Sequence, residues 1–288
     1  METRLLNFPV SVTFISTYIC NLTCEHCDIC RLREDELSAN EAKAMLKELS
    51  KLGVRSMSFE GGEPLTRPDI GELISFARGC GIDSSLVTNG TLVKRSLHKL
   101  GGLSRLFVRL FWDDGFIDGG PVYASALEAI EAADKAGLDV ASVAALTKAN
   151  IRALPAILSD CASLGVRVSF SKSVRHCHSN DNSRIGSMLP DEAELEEALR
   201  LLNERKAAGE SITVPDSRAG NAAFESFSGV CSFVITPSGC VCPCLNLLVS
   251  RRWPSGLEKG FGPAFDEARK SHCVAEFSDP SCLKACNS

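Results

Sequence analysis

Cys20-Asn21-Leu22-Thr23-Cys24-Glu25-His26-Cys27 follows directly on a strand-like run, 10–19, and Glu60-Gly61-Gly62-Glu63-Pro64 closes the next one, 54–59. Between them lies one helix-like run, 38–52, in which Leu46 and Leu49 recur before Gly53. Three thiols at the spacing C-x3-C-x2-C can wrap one loop around a metal centre, and thiolates suit zinc or an iron–sulfur cluster. On a four-iron cluster three ligands leave one iron open, which is what a catalytic metal needs and a structural one lacks. A zinc loop completed by Cys30 or His26 fits the spacing too. In the second run two glycines allow close approach of a backbone to a ligand, and Glu63 can accept a hydrogen bond from an ammonium group. Alone, such a run is a tight strand-to-helix turn. On consecutive β-α units of a parallel sheet, both loops fall at the end where ligands bind.

Working outward, the same rhythm continues. Strand-like runs at 83–88, 106–112, 139–146 and 166–171 alternate with helix-like runs at 68–80, 92–100, 122–136, 151–164 and 191–208. Six β-then-α units predict an α/β fold, a parallel sheet covered by helices. Periodicity does not distinguish an open sheet from a partial barrel. From about residue 210 the alternation stops, and a tail rich in Cys, Gly, Pro and Ser has too few periodic apolar positions to form its own core. A metal would supply the missing stability. The expected division is 1–215 for the α/β core and 216–288 for a small Cys-rich domain.

The 288 residues are 44% hydrophobic with a formal net charge of −5. No Lys/Arg block stands out, which argues against a nucleic-acid partner. No apolar run approaches the ~20 residues of a membrane span. The N-terminus carries no signal-peptide pattern, so a soluble, cytoplasmic protein is expected. Fourteen cysteines are then anomalous, because cytosolic thiols stay reduced and clusters of them bind metal or do chemistry. One group is Cys20, Cys24, Cys27 and Cys30. The other is Cys231, Cys240, Cys242, Cys244, Cys273, Cys282 and Cys286. Cys80 and Cys161 fall in helix-like runs and are expected to be buried packing thiols.

With the thiol loop and the GGEP turn on successive units, the sequence resembles the radical S-adenosylmethionine (SAM) superfamily. Thr88-Asn89-Gly90 and Leu146-Thr147-Lys148-Ala149-Asn150 add to the resemblance. It implies a partial (β/α)6 TIM-like barrel in which Cys20, Cys24 and Cys27 hold a 4Fe-4S cluster. The free iron would bind the amino and carboxylate groups of SAM, and Gly61, Gly62 and Glu63 would hold the methionine ammonium. His26 stands where relatives carry an aromatic residue beside the adenine. Thr88, Asn89 and Arg175 are the further candidates for SAM contacts. Phe111 departs from the family's Ser-x-Asp, so that contact is not carried over. The resemblance implies reductive cleavage of SAM to a 5'-deoxyadenosyl radical, hydrogen-atom abstraction from substrate, and an electron donor such as flavodoxin or ferredoxin.

In the tail, Cys231 to Cys244 reads as a β-hairpin turning at Pro237-Ser238-Gly239, with Cys240, Cys242 and Cys244 on one face of a regular strand. Cys282 and Cys286 add two thiols four residues apart. This pattern resembles the SPASM or shorter twitch extension of radical SAM enzymes, and implies one auxiliary 4Fe-4S cluster on Cys231, Cys244, Cys282 and Cys286. Cys273 competes for one tail position. Cys240 and Cys242 are then spare thiols, candidates to donate a hydrogen atom to a substrate radical; Cys242 in place of Cys244 as ligand is the alternative.

Three functions follow. One is modification of a ribosomally made peptide by epimerisation or by thioether or crosslink formation, the reading the Cys27-Asp28-Ile29-Cys30 run and the short tail favour. Against epimerisation, the acid such enzymes carry four residues after the first hairpin cysteine is Ile235 here. The second is dehydrogenation of a small molecule such as an aminocyclitol or sugar. The third, a non-enzymatic metal-binding scaffold, leaves the GGEP turn unexplained. His176-Cys177-His178, Asp113 and Asp114 are weaker candidates for residues at the sheet's ligand-binding end.

Overall fold

The computed structural model describes residues 10–24, 27, 29–112, 119–171, 187–215, 232–243 and 252–270. In chain order the elements are β1 (Ser11–Thr17), α1 (Ala39–Lys51), β2 (Ser56–Gly61), α2 (Ile70–Gly79), β3 (Asp83–Thr88), α3 (Val93–Ser96), β4 (Arg105–Arg109), α4 (Gly120–Lys135) and β5 (Val140–Ala145). There follow α5 (Lys148–Ile151), α6 (Leu154–Ser163), β6 (Arg167–Ser171), α7 (Glu192–Ala207), β7 (Ile212–Thr213), β8 (Ser232–Ile235), β9 (Val241–Cys242), α8 (Gly256–Lys259) and α9 (Phe261–Arg269). The six expected β-then-α units are all present, from β1–α1 to β6–α7. The chain forms two compact units, 1–85 with 176–180 and 224–288, and 86–175 with 181–223; the division falls inside β3.

In the first unit β1 is central. It pairs in parallel with β2 on one side and with β8 on the other, and β9 follows antiparallel to β8. Helix α1 begins where Ser38 and Glu41 close a capping box, which satisfies amide groups the helix start leaves open. Its apolar stripe of Ala42, Met45, Leu46 and Leu49 is fully buried, each large side chain contributing about 1.5–3 kcal/mol. The helix stops at Leu52, and Gly53 turns the chain with φ 96°. Helix α1 packs against both α2 and α9. Glu48 reaches across to accept the amide of Phe261 at 2.7 Å, capping α9, whose Phe265 stacks on Phe233 of β8 at 4.9 Å between centroids.

In the second unit β4, β5, β6 and β7 lie in sequence order, each pairing in parallel with the next. Helix α4 buries Tyr123, Ala126, Ala129, Ile130 and Ala133. It approaches so closely that a Cβ on Gly90 (φ +87°) would stand 2.9 Å from the Ala126 Cα. Two helix bounds differ from the periodic reading. The run 92–100 resolves into the single turn α3 and a 3-10 turn, Leu97–Lys99. Helix α6 starts at Leu154 because Pro155 fits its first turn and lacks the amide a helix interior needs. Cys161 is buried as expected, with its sulfur 3.7 Å from the Ser142 hydroxyl. Cys80 instead caps the C-terminus of α2 and is only partly buried. Among the described residues no helix is long and apolar enough to cross a membrane.

Candidate active site

The thiol loop and the Gly-Gly-Glu turn meet at the carboxyl ends of β1 and β2, and backbone hydrogen bonds join them. The Gly62 amide donates to the Thr17 carbonyl and the Glu63 amide to the Ile19 carbonyl, both at 2.9 Å. This contact explains the glycines. A Cβ on Gly61 (φ +145°) would stand 2.2 Å from the Thr17 oxygen, and one on Gly62 2.3 Å from the Ile19 oxygen. The two glycines thus admit the stem of the thiol loop.

The strand bends just before that contact. Ile15 pairs with Glu60 and Thr17 with Gly61, so Ser16 is an extra residue, a β-bulge of the kind that re-aims a chain beside a functional site. Glu63 has no exposed surface, and one of its carboxylate oxygens accepts the Leu65 amide at 3.1 Å. The turn it caps, Pro64–Thr66, leads to Arg67, a nearly buried guanidinium that sequence reasoning passed over. Nothing in the periodicity marked it, since it stands between the Gly-Gly-Glu turn and the helix-like run 68–80.

Cys20, Cys24 and Cys27 share one loop and are each partly exposed. The Leu22 amide donates to the Cys20 sulfur at 3.4 Å, and the Cys27 amide to the Cys24 carbonyl at 3.1 Å. Burial raises the Cys24 thiol to about 11, and the charges of Cys27 and Cys20 push the same way. Burial also raises Cys20; the Leu22 amide opposes it, while Glu63, Cys27 and Cys30 add repulsion. Cys20 and Cys24 each feel the neighbouring thiols, and Cys20 a buried carboxylate as well; such thiols need a cation to ionise together, and a thiolate-bound metal supplies it. The donor set thus fits a thiolate-held cluster. Among the described residues no three Cys, His, Asp or Glu side chains close on a single ion; a four-iron cluster does not require that, because each thiolate binds its own iron.

The tail hairpin joins this same unit. Strand β8 runs parallel to β1 with Ser11 opposite Ser232 and Phe14 opposite Ile235. Cys242 has no exposed surface and lies in a cluster with Ile15, Tyr18, Ile29, Val234 and Trp253. Cys27 and Cys240 pack against that cluster. At the hairpin turn the Ser238 hydroxyl donates to Glu34 at 2.8 Å, and Pro237 accepts the Leu37 amide at 2.8 Å. The turn is thus tied to the chain leaving the thiol loop.

In the second unit the candidate residues serve their own loops. The Thr88 hydroxyl accepts the Gly90 amide at 3.1 Å, and the Asn89 carbonyl oxygen accepts the amide and hydroxyl of Thr91 at 3.0 and 2.6 Å. Thr147 and Asn150 form a capping box for α5. Trp112 lies edge-on to Tyr123. His26, Asp113, Asp114, Arg175, His176, Cys177, His178, Cys231, Cys244, Cys273, Cys282 and Cys286 lie outside the described residues, as does the start of the expected second domain at 216.

Fold and loop together define an α/β protein with a cluster-type thiol loop at the carboxyl end of its parallel strands. The chain matches the radical SAM superfamily over residues 14–158, and it belongs to that superfamily, whose members are enzymes using SAM and a 4Fe-4S cluster. It is 35% identical to Fe-coproporphyrin III synthase of Methanosarcina barkeri over 174 residues, 54% of this chain and 43% of that one. It is 30% identical to the PqqA peptide cyclase of Streptomyces rochei over 254 residues, 82% of this chain and 69% of that one. In three dimensions it resembles Streptococcus suis SuiB bound to its precursor peptide SuiA, with a TM-score of 0.75 at 17% identity, covering 93% of this chain and 66% of that one.

Proposed function

We propose that this radical SAM enzyme modifies a ribosomally synthesised peptide by removing a hydrogen atom from it. Cys20, Cys24 and Cys27 hold the cluster, and Gly61, Gly62 and Glu63 hold the methionine end of SAM. The observation that carries the assignment is the pair of backbone bonds from Gly62 and Glu63 to Thr17 and Ile19, which fix the thiol loop against the carboxylate meant for the ammonium. When bound, the cluster and SAM supply a carbon radical that abstracts hydrogen. The protein's residues do the rest. Glu63, desolvated, presents a negative charge to an ammonium where water competes least. The apolar cluster of Tyr18, Ile29 and Trp253 keeps water from one side of the thiol loop.

The peptide substrate is supported by likeness to the PqqA peptide cyclase and to SuiB with its precursor peptide. Residues 216–288 act as a twitch-type domain with an auxiliary 4Fe-4S cluster on Cys231, Cys244, Cys282 and Cys286. Of the spare thiols, Cys240 is the better hydrogen donor, since it keeps some exposure while Cys242 is packed as a small hydrophobe. The electron donor is a flavodoxin or ferredoxin, and the reaction proceeds in the cytoplasm. Anaerobic reconstitution tests this directly. About eight irons per chain are expected for two four-iron clusters; about four would remove the auxiliary one. Incubation with the short peptides encoded beside the gene gives a two-hydrogen mass loss for crosslinking, or deuterium uptake from heavy water for epimerisation. No change in any such peptide, with oxidation of an aminocyclitol instead, would overturn the peptide reading.

A further inference from the structure

The bulge at Ser16 leaves a problem that one side chain solves. An extra residue in a strand drops out of the ladder, so its carbonyl loses its usual partner. The Ser16 carbonyl instead accepts Nη1 of Arg67 at 2.9 Å. The other terminal nitrogen of Arg67, Nη2, donates to the Leu37 carbonyl at 2.6 Å, in the segment between the thiol loop and α1. Asp69 holds the guanidinium from the side, 2.7 Å from Nε and 3.0 Å from Nη2. Arg67 is 5% exposed, and burial of such a charge is tolerated because it is both paired and hydrogen-bonded. One planar fork thus ties together the chain entering the thiol loop, the chain leaving it and the turn that carries Glu63.

Thr17 braces the same stem. Its hydroxyl donates to Glu36 at 2.5 Å and accepts the Ile19 amide at 2.9 Å. Glu36 stands 3.9 Å from Arg67. Every segment that leads to Cys20 or to Glu63 therefore meets this network, yet none of its side chains belongs to the thiol or Gly-Gly-Glu sets. We infer that Arg67, with Thr17, is a positioning group: it holds the bulged stem so that Cys20 and Glu63 stand at the separation SAM bridges. The inference rests on the assignment of those two loops to cluster and SAM.

The test uses the anaerobically reconstituted holoenzyme. Arg67→Lys keeps the charge but cannot serve two carbonyls and Asp69 in one plane. Thr17→Val keeps the shape and removes two hydrogen bonds without touching the buried charge. Leu49→Ala is the control, lowering the melting temperature through a core cavity away from the loops. Iron per chain, the SAM dissociation constant and the change in the cluster's electron paramagnetic resonance on adding SAM are measured for each. Both stem variants are expected to keep the N-terminal cluster and to bind SAM at least about tenfold more weakly, with a diminished SAM-induced spectral change. Leu49→Ala is expected to bind SAM within about twofold of the parent, as distant substitutions act independently. Stem variants that bind SAM like the parent, or that lose affinity only in step with Leu49→Ala, overturn the inference. If Arg67→Lys does not fold, Thr17→Val decides alone. A parent that loads no cluster or binds no SAM defeats the underlying assignment instead, a failure visible before any variant is made.

Discussion

At the carboxyl ends of β1 and β2 the loop residues are built to meet another segment; at the ends of β3 and β5 they turn back on their own backbone. Gly61 and Gly62 give way to carbonyls more than forty positions earlier in the chain. Thr88, Asn89, Thr147 and Asn150 bond amides two or three residues away. Local bonds of this kind are what turns and helix caps need in any α/β protein. Family likeness at these positions therefore has a sufficient structural cause in the second unit. In the first unit Gly61 and Gly62 have one too, in the carbonyls of Thr17 and Ile19, whereas the half-buried thiols of a single loop repel one another when ionised and call for a cation. The difference separates residues that hold the fold from residues that wait for a ligand.

The largest effect is expected at the thiols. Cys24→Ala is expected to lower the iron content by about four per chain and to abolish SAM cleavage, with an unchanged circular dichroism spectrum. Next comes Gly62→Ala, whose Cβ would collide with the Ile19 carbonyl. It is expected to cost about 1–3 kcal/mol in chemical denaturation and to weaken SAM binding as well, since the stem must move. The counterpart in the second unit, Asn150→Ala, loses the capping box and a 2.6 Å bond to the Ala145 carbonyl. A similar loss of about 1–3 kcal/mol is expected, but with SAM cleavage per folded molecule unchanged. Reduced SAM affinity in that variant would break the comparison.

The smallest effect is a pH dependence in the second unit. Burial, and then the 2.9 Å hydrogen bond to Asp160 and its charge, hold the Tyr123 hydroxyl well above the ordinary tyrosine range. A pKa raised in the folded state favours folding fully below the unfolded value of about 10 and loses that contribution as the pH climbs above it. Denaturant midpoints for the parent should fall between about pH 9 and pH 11. Tyr123→Phe should start about 1 kcal/mol lower and show a shallower fall.

Much of this was legible in the sequence because it is local. Leu46 and Leu49 before Gly53 marked α1, and the alternation of strand-like and helix-like runs marked all six units. The thiol loop and the Glu63 turn were legible as candidates because their residue types and spacing carry chemistry. Long-range geometry was not. The parallel pairing of β8 with β1 joins residues more than two hundred positions apart, and no period announces it. The Ser16 bulge is a register shift between two strands, invisible in either alone. No run of the sequence marks Arg67, because burial of a guanidinium depends on carbonyls that only the folded chain brings to it.

The central claim is that the first unit's two loops form one SAM-cleaving site, and the release of 5'-deoxyadenosine tests it most directly. The reconstituted parent, reduced and given SAM, should form 5'-deoxyadenosine and methionine in equal amounts, while Cys24→Ala and Glu63→Ala form neither and Asn150→Ala matches the parent per folded molecule. Undiminished 5'-deoxyadenosine from Cys24→Ala or Glu63→Ala would contradict the account.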